Sequence, residues 1–240
     1  MQDSDSYALD QLSWPEAGRV LARDSRLLFP VGALEQHGPH LPLGTNTFLA
    51  EAVARRVSEQ LCILRAPTFA YGVTAGEGQY AGTATLRRKT LHRAVNELLA
   101  SWEDHGVSEI VVVTAHRYEP HLDALLMALT SRSATTVIDL YAVDVSDLLQ
   151  VAPELEHGGE LETSLMLYLA PERVRRDQVS DLAPPRDVGR YVRHRMPTPP
   201  LGSPGVLGFP TLATAEKGRA LFERWVAAIA DLLARPRHTD

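Results

Sequence analysis

The sequence predicts an α/β fold in which a mostly parallel sheet is sandwiched by helices, and three observations carry this. Leu27 to Val31 and Glu109 to Thr114 are short, near-continuous apolar runs, as expected of strands covered on both faces. Longer segments with apolar residues at helical spacing separate such runs, so strands and helices alternate along the chain. The 240 residues suit a single domain with one core, spanning 1–240.

Taken in order, residues 1–12 are polar and acidic and read as a flexible N-terminus without the apolar segment of a signal sequence. Trp14 to Ala22 follows Ser13 as a cap and has Pro15 early, which predicts a first helix feeding the strand Leu27 to Val31. Thr47 to Leu61 places Leu49, Val53, Val57 and Leu61 on one helical face. Ile63 and Leu64 read as a second strand, and Ala66 to Leu86 as a long Gly-rich loop, of a kind usually kept for function. Thr90 to His105 forms an amphipathic helix through Leu91, Val95, Leu98, Leu99 and Trp102, ended by Gly106. After the strand 109–114 come a helix from His121 to Leu129, a strand from Thr136 to Val143 and a short helical piece from Val145 to Leu149. Residues 181–204 are rich in Pro and Arg and read as a surface excursion. Thr214 caps a last helix reaching Ala234, with Leu221, Trp225, Ile229 and Leu232 on its apolar side, and 236–240 is a flexible tail.

Composition removes several function classes. A net charge of −6 provides no basic face for a phosphate backbone, so nucleic acid is not expected as a partner. No apolar run approaches the roughly 20 residues that span a bilayer, so no membrane partner is expected and the chain reads as cytoplasmic. Cys62 is the single cysteine, which leaves any metal to histidines and carboxylates.

The chemistry gathers in three places. The stretch from Pro30 to Asn46 puts Glu35, His37 and His40 in a Gly/Pro-bounded loop at the carboxyl end of a strand, where open α/β sheets bind ligands. These donors suit a borderline metal such as zinc or manganese, and equally an ordinary polar loop with surface histidines. His116 lies just past the strand 109–114 at the same edge, and Glu156 to Ser164 carries three carboxylates and a histidine before an apolar run. A plain acidic helix start explains that last segment as well.

Four blocks resemble the creatininase family of metal-dependent amidohydrolases, over residues 14–233: PVGALEQHGPHLPLGTN, GEGQYAGTATL, HGGELETS and GVLGFPTLATAEKGR. The resemblance implies a three-layer α/β/α sandwich, a homo-oligomer, usually a hexamer, and a divalent metal centre of zinc or manganese, with iron an alternative. Carried over by position, Glu35, His37, His116 and Glu162 fall on metal-ligand positions, and Asn46 on that of an aspartate bridging two metals. His157 falls where a histidine lies against the substrate. With Glu119 and Glu77 it forms the expected catalytic set, and Tyr118, Glu156 and Arg117 the expected substrate contacts.

The implied reaction is hydrolysis, or reversible closure, of a C–N amide bond in a small cyclic or peptide-like substrate. Asn46 departs from that pattern because an amide has one neutral oxygen where a carboxylate has two charged ones. Arg117 adds a cation near the centre, Gly78 and Ala81 replace the usual histidine and proline, and Phe209 replaces an aspartate. One, two or no metals per subunit are compatible with these changes. They leave open a biosynthetic variant with a mononuclear or absent metal, and a catalytically silent binding or partner subunit.

Overall fold

The computed structural model describes residues 7–74, 80–128, 133–151, 156–183, 199–200 and 202–234. Four strands, β1 (Arg26–Val31), β2 (Leu64–Arg65), β3 (Glu109–Thr114) and β4 (Ala134–Asp139), form a parallel sheet in the order β2-β1-β3-β4. β1 and β3 lie side by side over their whole length, from Arg26 opposite Glu109 to Val31 opposite Thr114. Their residues are buried almost throughout, whereas the edge strand β4 is half-buried along its length.

Helices cover both faces. Because successive strand side chains point to opposite sides, Leu28, Val111 and Val113 pack with α2 (Thr45–Leu61), α5 (Glu160–Leu169) and α6 (Ala215–Ala234). Leu27, Phe29, Val31, Ile110 and Val112 face α3 (Arg88–Asp104) and α4 (Glu119–Leu126), with Val20 of α1 (Trp14–Arg23) at the rim of the same cluster. Two separate apolar clusters on one sheet make the expected three-layer sandwich.

Local differences from the sequence reading have local causes. The strand read as 136–143 is β4, which ends at Asp139 because its carboxylate accepts the Tyr141 N–H at 3.0 Å and turns the chain. α4 begins at Glu119, two residues before the expected start, with Pro120 in its first turn. Leu232, read as part of the apolar side of the last helix, is 46% exposed, so the buried face is Leu221, Trp225 and Ile229. Thr214 does cap that helix, accepting the Lys217 N–H at 3.2 Å. Of the N-terminal stretch 1–12, residues 7–12 are described: Tyr7 and Ala8 are buried, and Ala8 bridges Arg65. The tail 236–240 and most of 181–204 lie outside the described residues. Among the described residues no helix is long and apolar enough to cross a membrane.

α5 and α6 cross in close contact. A Cβ on Gly218 of α6 would stand 1.9 Å from the Ser164 carbonyl oxygen of α5. Gly218→Ala is therefore expected to lower the unfolding free energy by about 1–3 kcal/mol through overpacking. Gly18→Ala on α1, where nothing lies within 4 Å, is expected to raise it by about 0.5–1 kcal/mol through helix propensity. Urea titration of the two variants checks both signs.

Candidate metal centre

The chain runs from β1 to β2 on one side and then crosses to β3 on the other, so the carboxyl ends of β1 and β3 flank a topological switch point, the usual place for a ligand crevice. The loop after β1 is closed by the Glu35 N–H donating to the Leu43 carbonyl at 2.9 Å. Gly158, at φ +64°, lets the 156–160 turn come close: a Cβ there would lie 2.9 Å from the His37 carbonyl oxygen. Glu35 and His37 from this loop, Asn46 from the first turn of α2, His116 from beyond β3 and Glu162 from α5 all point into the same buried volume.

Their hydrogen bonds assign the tautomers. His37 Nδ1 is 3.0 Å from the Glu35 carbonyl, which only accepts, so Nδ1 carries a proton. In the neutral ring Nε2 is then a lone pair, yet it faces Asn46 Oδ1 at 3.0 Å and Glu162 Oε1 at 3.4 Å. Three acceptors meeting in a buried space require positive charge between them, either a proton on His37 or a metal cation. His116 likewise donates Nε2–H to the Val73 carbonyl at 2.8 Å and turns Nδ1 toward Glu35 Oε2 at 3.0 Å. This donor set of imidazole, carboxylate and amide oxygen fits a divalent ion such as zinc or manganese.

The electrostatics follow from burial opposed by close partners. Burial disfavours charge on Glu35, but His116, His157 and His37 hold its carboxyl well below the usual carboxylate range. Glu162 is pushed down to about 2, against its burial, by His37, His157 and the Tyr141 hydroxyl. Burial also works against His37, yet Glu162 and Glu35 raise it to about 9. His157 is lowered by burial and by the neighbouring His37.

His157 joins the cluster directly. Its ring lies 4.5 Å from that of His37, Nε2 donates to the Gln36 carbonyl at 2.6 Å, and Glu35, His37 and His157 offer ligand atoms within 4.8 Å of one another. Tyr118 stands 6.1 Å from the His116 ring and caps α4, whose first residue is Glu119. Arg117 turns to the end of β4, where Asp139 accepts from Nε at 3.0 Å and the Tyr141 carbonyl from Nη2 at 2.6 Å. Glu77 lies outside the described residues.

Two participants carried no sequence signal of their own. Tyr141 donates its hydroxyl to Glu162 Oε1, and the Gly158 N–H donates to Oε2 at 2.5 Å, which fixes that carboxylate. His121 packs edge-on against His116 at 4.8 Å and accepts the Val73 N–H at 3.3 Å. It thereby supports the backbone that orients His116. Only its position five residues after His116 could have suggested it. His40 bonds Thr163 Oγ1 at 2.9 Å and belongs to the loop's scaffold.

Glu156 is wedged against the backbone at Gly159 and Gly208, beside the start of α5. Burial raises its carboxyl to about 7, only partly opposed by the backbone N–H groups of Glu160, Leu161 and Phe209. With a folded value above the unfolded 4.5, its contribution to stability is complete below about pH 4.5 and is lost as pH rises through about 7. Glu156→Gln is expected to flatten the fall in stability between those limits by an amount on the order of 1–3 kcal/mol. Denaturation of both proteins at pH 5 and pH 8 measures it, and identical slopes would refute it.

The sequence profile of the creatininase family, described as creatinine amidohydrolase, matches residues 10–233. Creatinine amidohydrolase of Pseudomonas putida is 33% identical over 258 residues, covering 96% of this chain and 97% of that protein. Mycofactocin precursor peptide peptidase of Mycobacterium ulcerans is 33% identical, covering 87% and 84%. Among solved structures, a manganese creatininase superimposes with a TM-score of 0.82 at 30% identity over 95% of this chain and 97% of that one. A mutant creatininase of Zn–Zn type does so with a TM-score of 0.78 at 31% identity over 95% and 97%. A family profile spanning nearly the whole length, together with relatives a third identical over most of both chains, places this chain in the creatininase family.

Proposed function

We propose that the protein is a metal-dependent amidohydrolase that cleaves a C–N amide bond in a small cyclic or peptide-like substrate. The observation that carries this reading is the meeting of His37 Nε2, Asn46 Oδ1 and Glu162 Oε1 as acceptors in one buried space, with His157 beside them. A divalent cation held there by His37, Glu162 and Asn46, with Glu35 and His116 adjoining, supplies Lewis acidity toward a carbonyl and toward water. The relatives support the bond type, since one is a creatinine amidohydrolase and another a peptide peptidase.

The chain's own residues then handle protons. The reaction adds water across the bond, with oxygen going to the carbonyl carbon and hydrogen to the departing nitrogen. His157 keeps Nε2–H on the Gln36 carbonyl, so Nδ1 is free to accept a proton and pass it on. Burial and the neighbouring His37 lower its pKa, which favours the neutral ring. Glu162, clamped by Tyr141 and Gly158, stays ionised and holds its orientation. Asn46, with one neutral oxygen where a carboxylate has two charged ones, motivates a second reading, a biosynthetic variant with one metal or none that closes a ring with loss of water. In both readings we take the working unit to be a cytoplasmic homo-oligomer.

Dialysis against a chelator is expected to abolish hydrolysis of cyclic amides or short peptides, and added Zn²⁺ or Mn²⁺ to restore it. His157→Asn should lower kcat by about 10²–10⁴-fold with metal content unchanged, as expected for loss of a proton-transfer group. Turnover that ignores the chelator would overturn the metal-dependent mechanism.

A further inference from the structure

The edge strand β2 is closed by the chain's own N-terminal segment. The Arg65 N–H donates to the Tyr7 carbonyl at 2.8 Å and the Leu9 N–H to the Arg65 carbonyl at 2.9 Å, so Ala8 pairs with Arg65 as a further parallel bridge. Leu28 of β1 pairs with Arg65 on the inner side. The Arg65 backbone is thus held between two neighbours, and its side chain is 9% exposed. There it lines a cavity of about 270 Å³ formed with Tyr7, Ala8 and Gln11 of the N-terminal segment and with Arg55, Ser58 and Glu59 of α2. Asn46 belongs to the metal centre at the first turn of α2; Ser58 lies roughly three turns further along the helix, roughly 18 Å away by helical rise.

Arg65 places a full positive charge where little water reaches it, and its surroundings do not match that charge. The carboxylate it faces, Glu51, stands 3.9 Å from Nη1 on a side chain that is itself 47% exposed, and among the described residues the Arg65 guanidinium donates no hydrogen bond. Arg55, on the exposed side of α2, has neither an ion pair nor a side-chain hydrogen bond among the described residues. Two forked donor groups therefore line one cavity. Glu59 also lines it, from an exposed position where solvent screens its charge, and Glu51 stands outside the lining. The lining carries two arginines against one glutamate, a net charge of one positive.

We propose that this cavity binds a small oxyanion with two negative charges, held by Arg65 from its buried end and by Arg55 from α2. A guanidinium sets parallel N–H groups against two oxygens of a carboxylate or phosphate, and such charge-assisted bonds satisfy a buried arginine where neutral partners would not. The cavity is large against the roughly 30 Å³ share of one water, so it takes a polyatomic ligand. Because the walls come from the N-terminal segment, β2 and α2, the bound anion ties these three elements together. The site is independent of the amide chemistry proposed above.

Isothermal titration calorimetry of the full chain with inorganic phosphate, and separately with succinate at matched ionic strength, tests the proposal. The expected result is saturable binding of one equivalent per chain. A preference for phosphate identifies a tetrahedral anion site and a preference for succinate a dicarboxylate site. Arg65→Gln and Arg55→Gln should each weaken binding by about tenfold or more, as expected for loss of charge-assisted hydrogen bonds. Glu59→Gln should tighten it, because the one negative charge in the lining is removed. Heats that only follow ionic strength would mean adventitious ion association and overturn the proposal. Saturable binding that Arg55→Gln and Glu59→Gln both leave unchanged would put the anion elsewhere on the chain and overturn it too. Those two variants alter exposed positions of α2, so they decide even if Arg65→Gln does not fold.

Discussion

Two carboxylates, Glu35 and Glu162, are buried at the edge of an apolar sheet, and buried carboxylates stay ionised only when positive charge or N–H donors surround them. Much of the molecule's local detail answers that requirement. Glu162 takes the Gly158 N–H and the Tyr141 hydroxyl, and His37 faces it at 3.4 Å. Glu35 takes the Asn46 amide at 2.9 Å and has His116 at 3.0 Å. Removing one partner exposes a charge that the apolar layers cannot solvate, so these residues are coupled and a change in one is felt by the others.

The core reaches that unit by a short physical path. Trp225 of α6, fully buried, packs edge-on to Tyr141 at 5.7 Å, and Tyr141 in turn holds Glu162. α5, which carries Glu162, is seated on α6 so closely that Gly218 has no space for a methyl group. Lys217 of α6 also pairs with the fully buried Glu160 at the start of α5. The helix that carries Glu162 is thus anchored by packing at one turn and by charge at another, which gives the rigidity that a preorganised site needs.

How much of this was legible in the sequence depends on whether the relation was local. β1 and β3 announced themselves as apolar runs because both their faces are covered, and α2, α3 and α6 through their periodicity. The limits of β4 did not, since an edge strand buries no complete face and its end is set by one Asp139 hydrogen bond. Glu35, His37, His116, His157 and Glu162 were legible as donors at strand ends and beside Gly-rich turns. Tyr141 and His121 were not, because their roles exist only across contacts between elements distant in sequence. Arg117 is instructive in the other direction. Its nearness in sequence to His116 suggested a cation acting on the centre, yet its guanidinium is committed to Asp139 and the Tyr141 carbonyl.

That commitment simplifies the charge balance of the centre. With Arg117 matched by Asp139, the groups left facing the cavity are two carboxylates, one amide and the imidazoles, of which His37 and His116 are raised toward their charged form by Glu162 and Glu35. A divalent cation bound there would displace those protons and take over the balance, because charge left uncompensated in a buried volume costs several kcal/mol. An aspartate at position 46 would add one negative charge and a second charged oxygen, moving the balance toward a pair of metals. A single atom, nitrogen for oxygen on one side chain, therefore changes both the geometry and the electrostatics of the centre in the same direction.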